Sequence, residues 1–259
     1  MISIKKINNI KVEKLKTKFD DKPYKHYKLF NKPFPLIFIN SRRGWGKTSL
    51  IYNILWHCAL KKKNLWTEIH YFTSTGINDN VFLEMEKKFI KYGFKFFIHE
   101  NIDFDNEEEK EYNNILEKLY DYSKNLVEDN YEKLKHYKTQ WPLFIFVFDD
   151  FWKYMKINIM SILCKQSRHT RTMLIYSSQY LHDLPLDCRM NLDYMILFGD
   201  VGSEKLEKIY KEIIWKIDLD TFLKIYYDCT STKYNFLYID ITNNIFRHNF
   251  NEEIIINNI

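Results

Sequence analysis

The sequence predicts an α/β fold with a mostly parallel central sheet flanked by helices, and three observations carry that prediction. Short apolar runs of β character alternate with segments of helical periodicity, the order expected of strands joined through helices. One run, Leu143-Phe144-Ile145-Phe146-Val147-Phe148, is apolar at six consecutive positions, as a strand buried on both faces of a parallel sheet must be. Another, Leu36 to Ile39, breaks into a glycine-containing loop, after which apolar residues return at helical spacing at Ile51, Ile54 and Leu55. At 259 residues the chain can build one substantial core, alone or with a small appendage. A hydrophobic content of 46%, with 17% aromatics, excludes a disordered polymer.

Residues 1–29 are Lys-rich with sparse apolar positions and read as an N-terminal extension or a single strand, ahead of a core spanning 30–215. The first core strand runs into Ser41-Arg42-Arg43-Gly44-Trp45-Gly46-Lys47-Thr48-Ser49. The chain has only six glycines, and two of them stand here, where a backbone curling around an anion needs them. A loop between a buried strand and a helix start aims the first helical amides at such an anion. Residues 41–49 are therefore candidate nucleotide contacts, and ATP and Mg²⁺ the expected cofactors. In that role the loop amides cradle phosphates, Lys47 reaches the β- and γ-phosphates and the Thr48 hydroxyl ligates Mg²⁺. Ser41 occupies a position that usually carries glycine. If positive φ is needed there, serine costs on the order of 1–2 kcal/mol.

Lys61-Lys62-Lys63 reads as a solvated helix end, Glu68 to Phe72 as a strand, Asn80 to Tyr92 as a helix and Phe94 to Ile98 as another strand. The acidic run from Asp103 to Glu111 is a surface loop or helix start. It opens a helical insertion, about 103–140, whose apolar face carries Ile115, Leu116, Leu119 and Leu126. The six-residue apolar strand then ends in Asp149-Asp150. Acids at the tip of a central strand lie where open α/β sheets bind ligands. Asp149 is assigned to Mg²⁺, and Asp150 to orienting or deprotonating the attacking water. Thr172 to Ser178 forms a further strand with Gln179 at its tip, placed to sense a γ-phosphate or position water. Tyr194 to Phe198 follows. Residues 216–259 form a C-terminal helix and β-hairpin appendage, with Tyr234 to Ile241 paired to Ile245 to His248 around Asn243-Asn244. Gly199-Asp200-Val201-Gly202 is too isolated to read as a second nucleotide motif.

The net charge of +5 permits a nucleic-acid partner without demanding one. Four scattered cysteines, Cys58, Cys164, Cys188 and Cys229, show neither metal-ligand spacing nor a disulfide framework, which suits a reducing compartment. No apolar stretch approaches a membrane span, and the N-terminus lacks a signal-peptide core. A soluble, intracellular protein is expected.

The order of these pieces is similar to that of the FtsK–HerA superfamily of P-loop ATPases: a phosphate loop, a strand ending in Asp-Asp, a helix closing in Arg168-His169, a strand ending in Ser-Gln179, then Leu184-Pro185 and Arg189-Met190-Asn191. Within it the sequence most resembles the genome-packaging ATPases of poxviruses, giant viruses and virophages. The resemblance covers roughly residues 30 to 200, with the stretch SRHTRTMLIYSSQYLHDLP more specific than the loop. It implies a RecA-like (ASCE) core, with an additional strand and a catalytic acid, working as a homo-oligomeric ring that moves double-stranded DNA into a capsid. A capsid or portal-like vertex protein is then a partner, and the cytoplasm of an infected host cell, or the virion, the place of action. An arginine finger supplied in trans is expected, with Arg168 the first choice before Arg171 and Arg189. Two departures stand out: Ser41 in the loop, and Asp150 where many relatives carry glutamate. The rival readings are a nucleotide-gated assembly module with little turnover and a P-loop kinase. A kinase needs a closing lid rich in arginine, and no such cluster is evident.

Overall fold

The computed structural model describes residues 2–7, 29–30, 32, 34–59, 68–74, 80–100, 106–130, 144–151, 157–199, 201–213 and 216–256. In chain order the elements are β1 (Ile2–Lys6), β2 (Leu36–Asn40), α1 (Lys47–Ala59), β3 (Glu68–Thr73), α2 (Asn80–Lys91), β4 (Lys95–Glu100), α3 (Asn106–Asp129) and β5 (Phe144–Asp149). There follow α4 (Asn158–Gln166), β6 (Thr172–Ser178), a 3₁₀ turn at Leu181–Asp183, α5 (Leu186–Met190), β7 (Tyr194–Phe198), α6 (Ser203–Ile213), α7 (Leu219–Cys229), β8 (Phe236–Asp240), β9 (Ile245–His248) and β10 (Glu252–Ile256).

The ten strands form one sheet in the order β1-β10-β9-β8-β7-β2-β6-β5-β3-β4. The six from β7 to β4 are parallel, and β8, β9, β10 and β1 continue the sheet antiparallel. The strand that follows β5 in the chain is inserted between β5 and β2, so the ends of β2 and β5 flank the end of β6.

Alternation along each strand divides the apolar residues between two cores. Phe38, Phe144, Phe146, Phe148, Tyr176 and Leu197 point to one face, where α3, α4, α6 and α7 cover them. Ile37, Ile39, Ile145, Val147, Ile175 and Ile196 point to the other, under α1 and α2. Every residue of β2, β5, β6 and β7 is buried. The unbroken apolar runs in the sequence reflect burial on both sides.

Several boundaries differ from the sequence expectation. Of the two readings of the acidic run, the helix start is the one found, with α3 beginning at Asn106. Leu116 is buried and Ile115, Leu119 and Leu126 pack against the same core, while residues 103–105 and 131–140 of the expected insertion and Lys61 to Lys63 lie outside the described residues. The C-terminal hairpin gains a third strand, β10, and pairs through it with β1. The expected absence of disulfides is corrected: Cys164 on α4 and Cys188 on α5 are joined, with Cα atoms 5.4 Å apart. Spacing in the sequence could not reveal this pair, because it forms where the two helices pack on each other. Cys229 is buried and free. Among the described residues no helix is long and apolar enough to cross a membrane.

Candidate functional site

Several parallel strands end at one edge of the sheet with polar residues in register. Asn40 pairs with Ser178, Ser177 with Asp149, and Asp149 with Thr73. The Asn40 side-chain amide donates to the Ser178 carbonyl at 3.1 Å, tying the tip of β2 to β6. The loop after β2 thus rises beside the ends of β6 and β5, where crevices open in sheets of this type.

Within that loop Gly44 and Gly46 have φ of +83° and +95°, conformations that glycine adopts without a Cβ penalty. Ser41 is buried, and it is not among the described residues with positive φ. Its hydroxyl donates to the Arg42 carbonyl at 3.0 Å, so the strain anticipated for a serine here does not arise. Arg42 and Arg43 are exposed, Trp45 is half-buried against the α1 core, and Thr48 and Ser49 are half-buried in the first turn of α1. Leu50 N–H donates to the Gly46 carbonyl at 2.9 Å, closing that turn. The first amides of an α-helix have no intrahelical acceptor and carry partial positive charge, so this end suits an anion.

The two carboxylates occupy different environments. Asp150 has φ of +50°, a conformation aspartate tolerates better than most residues. Its N–H donates to the Ser177 carbonyl at 3.0 Å, and its carbonyl accepts from Ser74 Oγ at 2.8 Å. Held this way, its carboxylate accepts from Lys47 Nζ at 2.6 Å, and Lys47 is only 6% exposed. Asp149 is buried, with Oδ2 accepting from the Tyr71 hydroxyl at 2.7 Å and Oδ1 having no hydrogen-bond partner among the described residues. Burial pushes its carboxyl above the usual range; Lys47 pulls it back, Asp150 adds to the rise, and the Tyr71 and Ser177 side chains oppose it. A buried carboxylate oxygen without a donor is offset by a cation. Asp149 therefore fits Mg²⁺, a hard ion that takes oxygen ligands, and Thr48 in the first turn of α1 is a second oxygen donor at this end of the sheet.

Gln179 is exposed at the tip of β6, between the loop strand and the acidic strand. Its carbonyl accepts from Lys205 Nζ at 3.5 Å, and the same ammonium lies 3.7 Å from the Tyr180 ring centroid. Lys47, Asp149, Asp150 and Gln179 are thus brought to one edge. Arg168 is not: it sits in the turn before β6, at the opposite edge of the sheet. The seven residues of β6 span about 20 Å, several times the length of an arginine side chain. Arg189 is engaged by Glu212 and by the Leu184 carbonyl. Arg171 is half-buried with its guanidinium over Phe34, and burial lowers its pKa. Of the three arginines, Arg168 is the exposed one.

Sequence reasoning missed Tyr71, Ser74 and Lys205. The first two act on Asp149 and Asp150 from β3 and its end, a strand whose place beside β5 no local pattern encodes.

No protein-family model and no curated protein sequence matches the chain. Solved structures do. The genome packaging NTPase B204 from Sulfolobus turreted icosahedral virus 2, in complex with ATP-gammaS, matches with a TM-score of 0.56 at 18% identity, over 84% of this chain and 97% of that one. The same protein in complex with AMP matches with a TM-score of 0.55 at 16% identity, over 83% and 96%. The chain has the RecA-like P-loop ATPase fold. The cytoplasmic domain of the Thermomonospora curvata type VII secretion ATPase EccC shares it more distantly, with a TM-score of 0.52 at 15% identity over 81% of this chain and 24% of that chain. In a P-loop fold of this kind the insertion of β6 between β2 and β5 is the additional strand that the sequence resemblance implied.

Proposed function

We propose that this P-loop protein is an FtsK–HerA-type ATPase that couples ATP hydrolysis to the movement of double-stranded DNA into a viral capsid. The observation that supports it most is the convergence of Lys47, Asp149, Asp150 and Gln179 at one sheet edge, in a chain whose fold match runs through nearly the whole length of a genome packaging NTPase.

Asp150 and Lys47 form an ion pair within the site. Triphosphate entering the loop competes for the same ammonium, and the first-turn amides of α1 add to its hold. As Lys47 turns to the phosphates, the Asp150 carboxylate is released to accept a proton from the attacking water. Phosphate binding and base activation are thereby linked through one ion pair. Asp149 and Thr48 would hold Mg²⁺, which would neutralise charge on the phosphates. Gln179, between them, orients the water or reads the γ-phosphate. The ring assembly, the capsid or portal-like vertex partner and the site of action in the cytoplasm of an infected cell or in the virion belong to the same proposal.

The test is phosphate release by the purified chain with Mg²⁺ and ATP, with and without double-stranded DNA. Hydrolysis that rises with DNA is the expected result. Tight nucleotide binding without turnover under both conditions would instead make the chain an assembly module.

A further inference from the structure

The segment between α7 and β8 comes back to the phosphate loop. Because β8 runs antiparallel to β7, its first residue, Phe236, pairs with Phe198 at the edge where the site lies. Two residues earlier is Tyr234, and a Cβ placed at Gly46 would meet its Cδ1 at 3.4 Å. The ring is 46% exposed, unlike the buried tyrosines Tyr194, Tyr226 and Tyr238 nearby. Its backbone has φ of +73°, the left-handed region that a bulky side chain enters only at a cost.

The surroundings hold this conformation. Asn249, itself at φ +53°, accepts from Phe236 N–H at 3.1 Å through Oδ1 and donates through Nδ2 to Asn235 Oδ1 at 3.2 Å. Asn235 N–H donates to the Thr232 carbonyl at 3.1 Å. At the start of the segment the Thr230 hydroxyl donates to the Tyr226 carbonyl at 2.7 Å, and the Thr230 carbonyl sits so close to Gly199 that a Cβ there would approach it to 2.6 Å. The backbone on either side of Tyr234 is thus pinned, and its half-exposed side chain lies beside the loop. The Lys233 ammonium lies 5.0 Å from the ring centroid.

We propose that Tyr234 is the platform on which the base of the bound nucleotide stacks, on the ring face away from the Lys233 ammonium. The inference rests on the nucleotide reading of the loop and adds where the base goes. A triphosphate seated on Lys47 and the first turn of α1 places its nucleoside outside the loop, and Tyr234 is the exposed ring against Gly46. Stacking on a π face does not read hydrogen-bonding edges, so the platform accepts any purine and does not choose adenine over guanine.

Binding of ATP and of inorganic triphosphate to the full chain tests this. Tyr234→Ala should weaken ATP binding roughly 5- to 150-fold, the range of one base–aromatic stack, leave triphosphate binding unchanged, and weaken GTP binding to the same degree. Tyr234→Phe should bind ATP as the wild type does. Tyr234→Gly, which relieves the positive φ, should keep or exceed the wild-type melting temperature while losing ATP affinity, a combination that a purely structural role does not produce. Wild-type ATP affinity in Tyr234→Ala overturns the proposal, as does an equal loss for ATP and triphosphate. A wild-type chain that binds triphosphate but gains nothing from the nucleoside overturns the platform and leaves the loop reading standing; a wild type that binds neither overturns both.

Discussion

Lys47 and Asp150 hold each other at 2.6 Å, and this pair separates the duties of the two acids. Removing the ammonium in Lys47→Ala leaves the phosphates without their buried cation and should lower ATP turnover by about 10²–10³-fold or more. The fold should persist, since circular dichroism reports strands and helices that do not depend on this side chain; unchanged turnover would remove the loop from the mechanism. Asp149→Ala strips the buried Oδ1 that suits a cation and should weaken binding of Mg·ATP. Asp150→Asn keeps the shape but cannot take the proton, so nucleotide affinity should survive while cleavage stops. Titrating nucleotide and measuring turnover on both variants checks the division, and equal turnover in Asp150→Asn and wild type would exclude Asp150 as the base. The residues of this site were legible because phosphate chemistry demands a local string, glycines and a lysine between strand and helix. Ser41 was legible only as a question, for its φ depends on how the strand leaves the sheet.

At the scale of elements, the β3–β4 end of the sheet carries a polar cluster that periodicity concealed. Glu68 is buried and accepts from Lys95 Nζ at 2.6 Å and from the Tyr122 hydroxyl at 3.0 Å. His70 Nδ1 lies 3.0 Å from His99 Nε2, and the His99 ring stacks on Phe72 at 4.4 Å. Burial, followed by the neighbouring His70, lowers the His99 pKa from 6.5 to about 4. The unfolded chain therefore takes up this proton at higher pH than the native one, and stability falls as pH drops from 6.5 toward about 4. The loss should be on the order of 2–3 kcal/mol. His99→Phe preserves the stack and should flatten that slope, as read from denaturant midpoints across the window; an unchanged slope would assign it to other groups. The strands themselves were legible from their apolar runs. This cluster was not, because a histidine or glutamate within a strand looks the same whether it faces water or a partner strand. The packing need for glycine at position 199 was illegible for the same reason: it arises from Thr230, thirty-one positions away in sequence but in contact with it.

At the scale of the whole molecule, Arg168 and the phosphate loop sit on opposite edges of one sheet, separated by the length of β6, so Arg168 cannot complete its own site. A heterologous contact, one subunit's loop edge against the next subunit's opposite edge, generates a ring when the rotation closes. In such a ring every interface joins one loop to one Arg168. The transition state of γ-phosphoryl transfer carries negative charge that Lys47 and Mg²⁺ only partly offset, and an arginine from a neighbour is typically worth about 10³–10⁵ in rate. Arg171 and Arg189 are less suited to that task, one laid over Phe34 and the other held by Glu212 and Leu184. Arg168→Ala and Lys47→Ala should each be inactive alone. Mixed together they should regain part of the DNA-stimulated ATPase activity, because some interfaces then combine an intact loop with an intact arginine. The measurement is phosphate release across mixing ratios, with co-assembly followed by light scattering. Co-assembled mixtures that stay inactive at every ratio would take Arg168 out of the neighbour's site and leave the loop, the two acids and Gln179 to account for catalysis within one chain.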